Sequence, residues 1–254
     1  MGTIAQSAPR FVGEARQAFV LAVAMTATIV LGFSAAIAMG FSSFSAPPIV
    51  HLHAIVFMGW VAFYLLQSST ALLGSNGLHR RLGWIAPFWL VSMIVLGTAV
   101  TVRMVRAGRV PPMFQPQHFL AFDPMAILGS ALLVLLAVRN RKRTDWHWRL
   151  QTCGMALLTG PGWGRLIGIP PLIPWAYHVV FAATLLFPLA GAIWDARRSG
   201  RVHPAWLLGV GVMLGVELVI DCVTWSPIGS ALYAAATAGS PGASVAPLAF
   251  PPLG

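Results

Sequence analysis

The stretch Ala205–Trp225 reads AWLLGVGVMLGVELVIDCVTW and contains only two ionisable side chains, Glu217 and Asp221. A helix rises 1.5 Å per residue, so a run of this length crosses the roughly 30 Å hydrocarbon core of a bilayer. Glu217, Asp221 and Thr224 recur at i, i+4 and i+7 and share one helix face. Two carboxylates about 6 Å apart in a low dielectric repel, so at least one is expected to be protonated or paired with a cation.

Outward from this run the same pattern recurs. The chain has 254 residues, 57% hydrophobic and 9% charged, and no soluble domain fits between its apolar runs. Seven spans are expected, at Gln17–Gly40, Ile49–Leu73, Leu82–Met104, Phe119–Val138, Trp148–Ile169, Pro174–Trp194 and Ala205–Trp225. The fold class is therefore an all-α polytopic transmembrane bundle over residues 1–227. An Ala/Pro/Gly-rich flexible tail is expected over 228–254. The first span is too long for a secretory signal and follows Glu14, so it reads as an uncleaved helix.

The net charge of +10 resides mostly in short loops. Twelve of the sixteen Lys and Arg lie at the N-terminus and in the second, fourth and sixth loops, against Arg103, Arg106 and Arg109 in the third. The positive-inside rule then puts the N-terminus in the cytoplasm and the C-terminus outside. This distribution argues against nucleic-acid binding. Trp146, Trp148 and Trp175 fall near span ends, as an interfacial belt requires. Cys153 and Cys222 lie at different depths and are expected to be buried packing residues, not a disulfide.

Five ionisable groups inside apolar runs, His53, Arg165, His178, Glu217 and Asp221, fall on one side of the membrane in this topology. By helical rise they lie about 5 to 13 Å below the outer interface. His118 and Asp123, at the start of the fourth span, lie nearby; Asp123 precedes Pro124 and also suits a helix N-cap. A charge or imidazole in hydrocarbon costs a few kcal/mol by insertion scales, so the convergence suggests a site. His53 is followed at helical spacing by Phe57, Trp60, Tyr64 and Gln67, an inward stripe; the stripe from His51 runs Ile55, Met58, Ala62 and Leu65 and suits lipid. Each histidine alone also suits a core residue bonded to a carbonyl. Arg165 ends Gly160-Pro161-Gly162-Trp163-Gly164-Arg165, a broken segment that a membrane tolerates only where neighbours satisfy the backbone. Gly164 with Gly168, and Gly211 with Gly215, read as close-packing pairs.

Three functions follow. In the first, His53, His118 and His178 hold haem b or a transition-metal ion, with Trp60 and Tyr64 lining the cofactor. Glu217 and Asp221 would complete a metal site, for redox chemistry on a quinone or another lipid-soluble molecule. In the second, Glu217, Asp221 and Arg165 serve a proton-coupled carrier. In the third, the chain is a non-catalytic subunit or assembly factor among membrane-protein partners, its buried charges holding helices in register. The single lysine, Lys142, lies in a loop and excludes a retinal Schiff base within the spans; there is no P-loop, Cys-x-x-Cys-His or His-Glu-x-x-His.

The pattern His51-Leu52-His53-Ala54, Trp60, Gln67 and Leu78-His79-Arg80-Arg81-Leu82-Gly83 resembles one in uncharacterised bacterial multi-pass membrane proteins. The resemblance covers about a third of the chain. It implies a helical membrane fold with some relation to cytochrome-b-like bundles, and a bacterial inner-membrane location. It singles out His53 and His79, while Glu217 and Asp221 lie outside it.

Overall fold

The computed structural model describes residues 8–40, 45–167 and 170–251, with side chains from residue 13 onward apart from Pro170. Among these residues the chain is helical, without strands: α1 (Ala8–Ala38), α2 (Pro48–Leu72), α3 (Asn76–Gly83), α4 (Ala86–Arg106), α5 (Pro116–Arg139), α6 (Thr144–Leu157), α7 (Gly160–Leu166), α8 (Ala176–Thr184), α9 (Leu186–Ser199), α10 (Pro204–Thr224) and α11 (Pro227–Thr237). Among the described residues, six stretches are long and apolar enough to cross a membrane: Gly13–Ala38, α2, α4, α5, Ala176–Ser199 and α10.

Prolines set the breaks. Pro161 has no N–H to return to the Leu157 carbonyl, so the run expected as a single fifth span divides into α6 and α7. Pro188 interrupts the next run likewise, and α8 gives way to α9 at Leu185. The two pieces α6 and α7 still travel together along α1. Arg149 in α6 reaches Glu14 near the start of α1, and Gly162 in α7 touches Thr28 and Ile29 far along it. Glu14 and Ile29 are about 22 Å apart along a helix at 1.5 Å per residue.

At that crossing a Cβ on Gly32 would stand 2.4 Å from the Gly162 carbonyl oxygen, so only glycine lets the two backbones approach. Gly168 lies outside the described residues, and Gly164 faces Met113. The expected Gly211/Gly215 pair makes no close approach: a Cβ at either would meet open space, because that face of α10 points outward. Gly209 is the residue that packs, against Cys153.

α5 lies at the centre, against α4, α6 and α10. Its Ser130 hydroxyl donates to the Gly154 carbonyl of α6 at 2.8 Å. The core holds Met25, Trp60, Met93, Leu133, Met155, Trp206 and Met213. The outer faces are as apolar as the core, with Phe88 77% and Leu207 68% exposed. Water would penalise such a surface; lipid does not. The inward stripe on α2 holds, since Trp60 and Tyr64 are buried while Ile55 and Ala62 are exposed. Cys153 is buried and free as expected, but Cys222 is exposed, because it points off α10 away from the bundle.

Residues 228–254 are expected as a flexible tail, yet most of that stretch is ordered. Ser226 caps α11 by accepting from the Gly229 N–H at 3.3 Å, and Pro227 occupies the first turn. The segment after α11 folds back over the bundle. The Gln117 N–H donates to Pro247 at 2.9 Å, the Gln115 amide to Leu248 at 2.6 Å, and the Tyr233 hydroxyl to Gly242 at 2.9 Å. Arg106, one of the three arginines that break the charge pattern, donates to the Ala236 carbonyl at the C-terminus of α11 at 2.8 Å.

Candidate functional site

Two polar clusters occupy opposite ends of the bundle. The first lies where α8, α10 and the start of α5 meet. Glu217 and Asp221, one turn apart on α10, face Tyr177 and His178 of α8. The Tyr177 hydroxyl donates a hydrogen bond to Glu217 Oε2. His178 Nε2 lies 3.4 Å from Asp221 Oδ2 and 3.9 Å from Glu217 Oε1. That Glu217 oxygen is buried and accepts no hydrogen bond. His118, only 7% exposed, presents its ring to Tyr177 edge-on at 4.2 Å, and its Nε2 has no partner. One imidazole nitrogen and two carboxylate oxygens, from His178, Glu217 and Asp221, lie within 4.8 Å of one another.

The Glu217 end of this cluster is enclosed, whereas the side chains of His178 and Asp221 are 44% and 32% exposed. Met113 and Phe114, in the connection between α4 and α5, are buried in the same apolar cluster as Tyr177, with the Phe114 ring 5.7 Å from Tyr177. The cavity beside Glu217 is about 20 Å³, enough for about one water.

The other expected members sit elsewhere. His53 stacks on Phe57 at 4.1 Å and lies near the backbone of Leu96 in α4. Its Nδ1 is buried without a partner, and no described contact joins it to His178. Trp60 packs on Phe63, and Tyr64 meets Thr152 of α6. Arg165 bonds neither Glu217 nor Asp221. It donates to the Pro161 carbonyl one turn back at 2.7 Å and lies over the Phe33 ring at 4.0 Å. Asp123 is no N-cap: α5 begins at Pro116, and Asp123 lies two turns inside, 2.6 Å from the Thr101 hydroxyl. At the other end of α2, the Gln67 amide donates to the His79 carbonyl and His79 Nδ1 lies near the Gln67 carbonyl, each at 3.2 Å. His79 thus ties α3 to α2.

The second cluster was not anticipated. Arg149, 2% exposed, donates from Nε to Asp195 Oδ2 at 2.8 Å and from Nη2 to Asp195 Oδ1 at 2.7 Å. It also donates to the Asp145 carbonyl at 2.7 Å, and the Trp206 indole N–H donates to Asp195 Oδ2 at 2.8 Å. Glu14 stands 3.4 Å from Arg149. One ion pair thereby joins α1, α6, α9 and α10. Beside it His203 Nε2 lies 3.0 Å from Asp145 Oδ2. Burial opposes ionisation of Asp145, but hydrogen bonds from His203 and the Trp146 N–H, with the charges of His203 and Arg143, outweigh it and hold the carboxyl below its usual pKa. The sequence signal was a lone aspartate, Asp195, one turn before Arg198 and Ser199 at the end of an apolar run.

The chain is similar to a secretion-system protein. The relative is ESX-3 secretion system protein EccD3 of Mycolicibacterium smegmatis, 26% identical over 159 residues. The match takes in 59% of this chain but 33% of that protein, so the chain spans about a third of its length. No family model matches the chain, and no solved structure matches it significantly. The sequence and fold establish an integral membrane protein of multi-pass helical type.

Proposed function

We propose that this chain is a non-catalytic, membrane-embedded subunit of a larger membrane assembly, and that it works by contact with other membrane proteins. The observation that carries the reading is the similarity to the secretion-system protein EccD3. Several features of the bundle support it. Arg149 is neutralised by Asp195, Tyr177 bonds one oxygen of Glu217, and Thr101 reaches Asp123, so most of the buried charge is met by partners within the bundle. The 20 Å³ cavity at Glu217 has no room for a quinone or a transported solute. In this reading α6 and α7 together make the fifth of seven crossings, with the N-terminus in the cytoplasm and the cluster at Glu217 near the outer face. The test is purification of the tagged chain from its own membranes in mild detergent, followed by particle mass and composition. A discrete particle with other membrane polypeptides in fixed ratio is expected, and a lone chain would overturn the reading.

A second reading is favoured by one observation, the convergence of His178, Glu217 and Asp221. One imidazole and two carboxylates suit a divalent transition metal such as zinc or manganese. Such an ion would bind the buried Glu217 oxygen that accepts no hydrogen bond. Metal analysis of the purified protein tests this. About one ion per chain, lost in His178→Ala and Asp221→Ala, is expected; a metal content unchanged by both substitutions would contradict it.

A further inference from the structure

Beside the Arg149–Asp195 pair lies a cavity of about 310 Å³, open at the surface between the ends of α1, α6, α9 and α10. Its lining carries acidic and basic groups, and the acidic ones are already engaged. Asp195 takes Arg149 and the Trp206 indole, Asp145 takes His203, and Glu14 lies at Arg149. Three lining arginines remain, Arg143, Arg198 and Arg201, with no carboxylate within 4 Å among the described residues. Two of them are held against aromatic rings. The Arg143 guanidinium lies 4.7 Å from the Trp146 ring centre and the Arg198 guanidinium 4.9 Å from that of Trp194. The Arg198 guanidinium also lies against Gly13 of α1, and these contacts restrict the side chains before any ligand arrives.

We propose that this cavity binds the phosphate of an anionic phospholipid headgroup. Guanidinium forks match the paired oxygens of a phosphate better than any other donor in proteins. Basic pockets between membrane helices at the interface recognise such headgroups. The position favours a lipid over a soluble phosphate. The cavity sits where α9 ends and α10 begins, and within one to three turns both helices expose Leu189, Ile193, Leu207 and Leu208. A lipid with its phosphate at the arginines would lay its acyl chains along that face. The proposal depends on the membrane fold and not on the subunit reading.

The full chain, purified in detergent and stripped of lipid, is titrated with phosphatidylglycerol and bound lipid counted by native mass spectrometry. One tightly held phosphatidylglycerol per chain is expected, with at least tenfold weaker binding of phosphatidylcholine. Arg198→Gln with Arg201→Gln should weaken phosphatidylglycerol at least tenfold. Both side chains are exposed, so folding is not in question. Arg80→Gln with Arg81→Gln, removing two charges from α3 outside the cavity, should leave binding unchanged. Equal binding of the two lipids, or equal losses in the two double variants, would overturn the proposal. Displacement by inorganic phosphate at the lipid's own concentration would overturn the lipid assignment in favour of a soluble phosphate.

Discussion

Arg149 and Asp195 form a two-pronged ion pair, at 2.8 and 2.7 Å, with both side chains almost wholly buried. The pair clamps α6 to α9, and Trp206 draws α10 onto the same carboxylate. Removing Asp195 leaves the buried Arg149 with only its longer contact to Glu14 at 3.4 Å, and loss of one partner of a buried pair costs about 3–5 kcal/mol. Asp195→Ala should therefore lower the thermal midpoint sharply in detergent. Arg149→Met combined with Asp195→Leu should recover much of the loss, since apolar replacement of both partners is often neutral. A double variant no more stable than Asp195→Ala would show that the pair matters for more than charge balance.

The crossing of α1 and α7 depends on absent side chains. Gly162→Val would force its Cβ into the Ile29 backbone, 2.9 Å away, with no flexible side chain to yield. Overpacking of this kind costs roughly 1–3 kcal/mol or more. Gly215→Val on the open face of α10 should leave the midpoint of the isolated chain unchanged. Thermal unfolding of the two variants side by side checks both expectations.

His147 provides a pH dependence. Burial lowers its pKa from the ordinary 6.5; the hydrogen bond to the Ala137 carbonyl opposes that, and the nearby charge of His79 adds to it. A histidine with a depressed folded pKa is protonated more readily in the unfolded chain. Its contribution is present above pH 6.5 and is lost as the pH falls from there through the folded value. Stability in detergent should thus decline below about pH 6.5, and His147→Gln should flatten that part of the curve. Unfolding midpoints from pH 5 to 8 would reveal it, and an identical slope in the variant would remove His147 as the cause.

The segment after α10 should behave as folded structure. Truncation after Trp225 removes Tyr233 and α11 from the second apolar cluster, along with the carbonyls that accept from Arg106, Gln115 and Gln117. A lower midpoint and new proteolytic cleavage between Ala107 and Gln115 are expected. Unaltered stability and digestion would mean the segment contributes nothing to the bundle.

The readable parts of this fold are those governed by solvent. Apolar runs of membrane-crossing length gave the long helices, and the inward face of α2 followed from the spacing of Trp60 and Tyr64. His178, Glu217 and Asp221 were legible as a group because matched depth and the i, i+4 spacing on α10 leave little freedom. Depth alone has no direction around the bundle, however, and so His53 and Arg165 were placed with them and prove to face other helices. The Arg149–Asp195 pair was hidden for another reason. An arginine in a basic loop looks like a topology signal, and only packing makes Asp195 its partner. The tail lacked charge and periodic apolar spacing, although Ser226-Pro227 announced a helix start.

Whether the chain acts within a larger membrane assembly is decided by its particle mass after extraction of native membranes with mild detergent. A discrete particle is expected, well above a single 27.1 kDa chain with its detergent and containing other membrane polypeptides in fixed ratio to this one. A monodisperse particle holding this chain alone would contradict it.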